Sequence, residues 1–165
     1  MKNKLEIKIN NRTSTVGVIG LGYVGLPIVL RFSESGFKTI GFDIDRKKIA
    51  SLNSFKSYIK HISSKEILQA FNNGLKATFD FDELKKVDII IICVPTPLTK
   101  DNTPNLNFIE KTLLQIEPHI KSNQLLILES TTYPGTTEEL TIPFIDQCGF
   151  KIGEDYFVGY SPERL

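Results

Sequence analysis

With 165 residues, 41% of them hydrophobic and 24% charged, the chain has the size and balance of one folded domain with its own core, not of a disordered tail. Twenty Lys and Arg stand against 19 Asp and Glu, so no net field draws it to nucleic acid or to an anionic membrane, and any anionic ligand has to be held by local geometry. Cys93 and Cys148 are too few for a disulfide framework and lack a metal-ligand spacing, and no apolar run approaches the ~20 residues of a membrane span.

Residues 1–15 read as a polar, Lys-rich extension without the apolar stretch of a secretion signal, so a cytoplasmic protein is expected. Leu5, Ile7 and Ile9 alternate, which leaves a short strand or a loose extension as the two readings. From residue 16 on, short apolar runs alternate with longer amphipathic stretches, the pattern of a parallel sheet covered by helices. A first strand at 16–19 leads through a glycine-rich turn into a helix at 23–35, stopped by Gly36. A second strand at 38–42 is followed by a helix at 46–53 with Asp45 as its N-cap. A helix at 64–72, capped by Ser63 or Ser64 and ended by Gly74, precedes a weak third strand at 75–78.

The strongest strand is 87–94. Four isoleucines and Cys93 in succession place it at the centre of the sheet, buried on both faces, with Cys93 as a core thiol. Pro95 and Pro97 end it. A helix at 105–120 carries an irregularity at Pro118. A fifth strand at 124–128, a helix within 135–148 interrupted or ended near Pro143, and a sixth strand at 156–160 complete the series. Right-handed crossovers then give a doubly wound, six-stranded parallel sheet of order 3-2-1-4-5-6, a Rossmann-type α/β domain over residues 16–165.

The turn after the first strand is Gly20-Leu21-Gly22-Tyr23-Val24-Gly25, a G-x-G-x-x-G between a strand and a helix. Gly20 permits the tight turn, Gly22 leaves room for a pyrophosphate, and Gly25 lets the helix approach the sheet. The helix start offers free N–H groups to phosphate. No Lys follows the last glycine, which excludes a P-loop. Asp43, 23 residues after Gly20 at the end of the second strand, suits the ribose hydroxyls and would repel a 2′-phosphate. The cofactor expected is therefore NAD rather than NADP. Arg46 and Lys48 lie at the same edge, either for adenine or phosphate or as a solvated helix face.

Three polar clusters follow the fourth, fifth and sixth strands: Val94-Pro95-Thr96-Pro97, Glu129-Ser130-Thr131-Thr132-Tyr133-Pro134-Gly135 and Ser161-Pro162-Glu163-Arg164. Strand exits of this kind serve either a ligand or the turn itself. His61 stands near a helix boundary and can face the cleft, His119 reads as a surface residue, and neither is taken as a catalyst. No metal site is expected.

Val18 to Pro27, Gly41 to Asp45 and Cys93 to Pro97 together resemble the N-terminal domain of the UDP-glucose/GDP-mannose dehydrogenase family. Glu129 to Glu139 and Tyr160 to Arg164 resemble, more narrowly, its branch that oxidises UDP-N-acetylhexosamines. The resemblance covers residues 16–164. It implies oxidation of a sugar C6 alcohol to a carboxylate with two NAD per UDP-sugar, in surface polysaccharide synthesis. It also implies a homodimer or larger assembly. By the same resemblance Tyr23 and Val24 lie against the pyrophosphate, Asp43 takes the ribose and Lys48 the adenosine end. Pro95, Thr96 and Thr132 line the nicotinamide side, and Glu163 with Thr132 holds the hydrolytic water, with Arg164 on the substrate side. The family's nucleophilic Cys and its Lys lie in a C-terminal half. Neither Cys93 nor Cys148 matches that position, so the sequence reads as the cofactor half alone, without turnover of its own. The alternatives are a stand-alone NAD-binding or sensing module without catalysis, and another UDP-glucose/GDP-mannose or β-hydroxyacid-type dehydrogenase.

Overall fold

The computed structural model describes residues 4–100 and 103–162. Its six strands form one parallel sheet in the order β3-β2-β1-β4-β5-β6, as the crossover rule requires. They are β1 Thr15–Ile19, β2 Lys38–Phe42, β3 Lys76–Thr78, β4 Ile89–Ile92, β5 Gln124–Leu128 and β6 Tyr156–Tyr160. Successive side chains of a strand point to opposite faces. In β4 that division is complete: Ile89 and Ile91 join one core layer, Ile90 and Ile92 the other, and all four are buried. The first layer is covered by α1 Lys4–Asn10, α2 Gly25–Glu34, α3 Arg46–Asn53 and α4 Ser64–Asn72. The second is covered by α5 Asn107–Ile116 and α6 Ile142–Gln147.

Local signals set most boundaries. The Asp45 carboxylate accepts from the Lys47 N–H at the start of α3. Ser63 and Glu66 form a reciprocal capping box at the start of α4. Residues 107–116 are α-helical, and Pro118 lies in the single 3₁₀ turn Glu117–His119 that follows.

Two expectations, the N-terminal segment and His119, need correction. The N-terminal segment is neither a strand nor a loose extension but the helix α1. Leu5 and Ile9, four residues apart, share a helical face and pack on the core, while Ile7 stays exposed. The interruption expected near Pro143 is present: a π-helical turn at Thr137–Thr141 gives way to α6, with Pro143 in the first turn of α6. The helix expected from about Tyr23 is α2 from Gly25, with Val24 already in the right-handed helical region and the Leu26 N–H bonded to the Gly22 carbonyl. His119 is not a surface residue: its side chain is 16% exposed, with Nδ1 3.4 Å from the Asp82 carboxylate. A 3₁₀ helix at Phe81–Lys86, which no periodic pattern announced, places Phe81 and Leu84 in the second layer.

At the N-terminal end of the sheet, the buried Asp88 carboxylate accepts from Lys8 Nζ at 2.7 Å and from the Thr15 N–H at 3.0 Å. These two bonds tie α1 to the bottom of β1 and β4, the end away from the glycine turn.

Candidate functional site

The strand ends meet on one edge, and the glycine turn lies at its middle, between β1 and α2. Gly20 has φ +91°, and a Cβ there would stand 2.7 Å from the Cys93 carbonyl oxygen. A Cβ at Gly25 would lie 1.8 Å from the Gly20 carbonyl oxygen and 3.1 Å from Cys93 Cβ. What this glycine permits is therefore contact between the first turn of α2, the Gly20 turn and the exit of β4. Gly22 differs: nothing lies within 4 Å of a Cβ built there. The N–H groups of Gly22, Tyr23 and Val24 donate to no acceptor among the described residues, and α2 has no side-chain cap. Open space beside unused donors at a helix start is a receptor for an anion.

Asp43 follows β2 and is 6% exposed. One carboxylate oxygen accepts from the Leu21 N–H at 2.9 Å and from Lys48 Nζ at 3.1 Å; the other accepts from the Asp45 N–H at 2.8 Å. Capping and loop-holding are thus divided between two aspartates, Asp45 for α3 and Asp43 for the glycine turn. Tyr58, from the connection between α3 and α4, donates its hydroxyl to the Leu21 carbonyl at 2.6 Å. Burial pushes that hydroxyl above the ordinary tyrosine range, and the Asp43 and Asp45 carboxylates push in the same direction. Arg46 makes no hydrogen bond or ion pair to this cluster among the described residues: its guanidinium lies over the ring of Phe79, the residue after β3, 4.1 Å from the centroid.

The next two strand exits are stitched to each other. Ser130 Oγ donates to the Val94 carbonyl at 2.7 Å and Thr96 Oγ1 to the Thr131 carbonyl at 2.6 Å. Thr132 meets the end of β6, its N–H and hydroxyl both 3.4 Å from the Tyr160 hydroxyl. Thr96 and Thr132 are thereby brought to one edge, while Pro95 is exposed beside them. Glu163 and Arg164 lie outside the described residues. His61 is exposed in a groove between α2 and α4, its ring 6.4 Å from that of Tyr23. Among the described residues no His, Cys, Asp and Glu cluster of metal-binding form occurs, and no helix is long and apolar enough to cross a membrane.

Residues 14–165 match the UDP-glucose/GDP-mannose dehydrogenase family, NAD binding domain. The chain belongs to this family. As its NAD-binding domain, the chain is 37% identical over 151 residues to the UDP-N-acetyl-D-glucosamine 6-dehydrogenase of Pseudomonas aeruginosa, covering 91% of itself and 35% of that protein. It superposes on the UDP-D-ManNAc dehydrogenase structure from Pyrococcus horikoshii with a TM-score of 0.85 at 34% identity, over 92% of this chain and 36% of that one. The GDP-mannose dehydrogenase ternary complex from Pseudomonas aeruginosa gives a TM-score of 0.84 at 33% identity, over 91% and 36%. The chain thus spans about a third of the length of these relatives. Its residues suit the cofactor of the family's domain: an open, side-chain-free approach at Gly22, idle N–H donors, and a buried carboxylate at the end of β2.

Within this NAD-binding domain two participants escaped the sequence reading. Tyr58 stands in an irregular connector where no motif singles it out, and only the fold brings it to Leu21. Tyr160 ends the sixth strand and opens the stretch Tyr160 to Arg164, but its hydroxyl partner Thr132 is 28 residues away.

Proposed function

We propose that this chain is the cofactor half of an NAD-dependent UDP-sugar 6-dehydrogenase, acting on a UDP-N-acetylhexosamine such as UDP-N-acetylglucosamine. The observation that carries the reading is the pairing of an open Gly22 with the buried Asp43, tied together through the Leu21 N–H. In this reading Gly20, Gly22 and Gly25 shape the turn, and the N–H groups of Gly22, Tyr23 and Val24 receive the pyrophosphate. Asp43 takes the adenosine ribose and excludes a 2′-phosphate, with Lys48 at its side. Thr96 and Thr132 border the nicotinamide end, where the three exits are stitched together. NAD, when bound there, supplies the hydride acceptor for each of two oxidations of the sugar C6. Glu163 and Arg164, which follow β6 in sequence, are assigned to the substrate side: Glu163 with Thr132 holds a water for the hydrolytic step, as a positioned carboxylate can.

The branch assignment rests on similarity to relatives whose names specify UDP-N-acetylglucosamine and UDP-N-acetylmannosamine dehydrogenases. A cytoplasmic homodimer or larger assembly, feeding a reaction that builds polysaccharide from the uronate, completes the proposal. Two measurements test it. Calorimetry on this chain should show NAD bound in preference to NADP. An enzyme containing this domain should form two NADH per UDP-N-acetylhexosamine consumed. Equal or tighter NADP binding refutes the role of Asp43, and a yield of one NADH per sugar refutes the reaction.

A further inference from the structure

We infer that Tyr58 is a positioning residue for the pyrophosphate of the bound dinucleotide, acting by holding the Leu21–Gly22 peptide so that the Gly22 N–H faces the open side of the turn. The inference deepens the dinucleotide reading above and rests on it. Leu21 is gripped on both sides of its backbone: its N–H donates to Asp43 at 2.9 Å and its carbonyl accepts from Tyr58 at 2.6 Å. Its side chain is wholly buried. A trans peptide is planar, with its carbonyl and its N–H pointing in opposite directions, and none of the described peptide bonds is cis. Fixing the Leu21 carbonyl therefore fixes the direction of the Gly22 N–H. That N–H has no acceptor among the described residues, and the space beside Gly22 is empty.

The clamp matters because the next residue is glycine. Gly22 imposes little restriction on its own φ and ψ, so the preceding peptide can rotate unless something outside the turn restrains it. A rotated peptide would present the Leu21 carbonyl oxygen to the phosphates, replacing a donor by a repelling acceptor. Tyr58 is suited to prevent this. The Leu21 carbonyl can only accept, and a hydroxyl kept protonated by burial can always donate. Tyr58 is itself held in place: Ser57 Oγ bonds both the N–H and the carbonyl of Ile59, and Ile59 and Ile62 are buried in the first core layer.

The test compares Tyr58→Phe, which removes one oxygen and keeps the ring, with the unmodified chain against NAD, ADP-ribose and adenosine. Losing one clamping hydrogen bond should weaken NAD and ADP-ribose by about 3- to 10-fold. Adenosine, which has no phosphate, should change by less than about twofold in ligand-induced NMR shifts, and the Gly22 amide resonance of the free protein should move. Unchanged ADP-ribose affinity overturns the inference. So does an equal loss for adenosine, which would place Tyr58 on the nucleoside side. If Tyr58→Phe does not fold, the unmodified chain still decides: the Tyr58 hydroxyl proton must exchange slowly enough to be seen by NMR and, with the Gly22 amide proton, must shift on addition of ADP-ribose, and failure of either overturns the proposal. A wild-type chain that binds neither NAD nor ADP-ribose refutes the dinucleotide reading itself, and this inference falls with it.

Discussion

Two glycines three positions apart should respond to substitution in opposite ways. A Cβ at Gly25 would lie 1.8 Å from the Gly20 carbonyl oxygen, so the start of α2 would have to retreat by about 1.2 Å to reach the 3.0 Å that real Cβ atoms hardly ever undercut. Both sides of the clash are backbone-fixed, which removes rotamer relief, and Gly20 is committed to φ +91°. Overpacking typically costs ~1–3 kcal/mol when side chains can adjust. Gly25→Ala should therefore reach or exceed about 3 kcal/mol, a fall in Tm of at least ~6 °C for a chain of this size. A Cβ at Gly22 meets nothing within 4 Å, so Gly22→Ala should leave stability within about 0.5 kcal/mol and Gly22→Val should still fold. They should instead weaken NAD binding, by at least roughly tenfold for Ala and beyond detection for Val, since a hydrophobic group replaces the approach of a charged phosphate. Thermal unfolding followed by calorimetry on each folded variant separates the effects. Wild-type Tm in Gly25→Ala, or wild-type NAD affinity in a folded Gly22→Val, would refute the reasoning.

Asp43→Ser should raise NADP affinity relative to NAD by at least about fivefold, because a like-charge contact at ~4 Å costs ~1 kcal/mol even in water, and Lys48 would lose its partner; unchanged selectivity in competitive calorimetry counts against it. Tyr156 is fully buried, and its hydroxyl has no partner among the described residues, so Tyr156→Phe should stabilise by about 1 kcal/mol in denaturant titration, and destabilisation would show an overlooked bond. Burial pushes the Tyr156 and Tyr58 hydroxyls up. Above pH ~10 the unfolded chain then releases protons that the folded one keeps, and stability must fall as pH rises, less steeply in Tyr156→Phe. A flat stability profile from pH 9 to 11 would contradict this. Asp88→Ala strands the Thr15 N–H and should cost ~1–3 kcal/mol, whereas Lys8→Ala removes a partly exposed partner and should cost less than ~1 kcal/mol; the reverse order in chemical denaturation would refute the assignment of the clamp to Asp88.

The sheet was legible because its signals are local and redundant. Strands 38–42, 124–128 and 156–160 coincide with β2, β5 and β6, and Asp45 and Ser63 cap the helices they precede. The N-terminal segment was not legible, since apolar residues at 5, 7 and 9 satisfy a strand period and a helical pair at once, and only packing on the sheet decides. Pro143 signals the break in the last helical stretch, but the π turn that precedes it carries no sequence signature. Of the candidate site, the glycines and Asp43 follow from backbone requirements that a motif can express. The Tyr58 and Tyr160 contacts depend on chain crossings 37 and 28 residues long, which no spacing rule contains.

In the free chain the Asp43 carboxylate already has three donors, from Leu21, Asp45 and Lys48. In the proposed reading a ribose hydroxyl arriving there takes the one acceptor position left on the carboxylate or exchanges with the Lys48 ammonium. Such a swap releases little net heat. The idle N–H groups of the turn have no such prior commitment, so the gain in bonding concentrates on the phosphates. Tightness and choice then reside in different parts of one site. In the proposed reading the turn holds the pyrophosphate and Asp43 selects the ribose, yet the bond from the Leu21 N–H to Asp43 couples the two, so a change at Asp43 disturbs both.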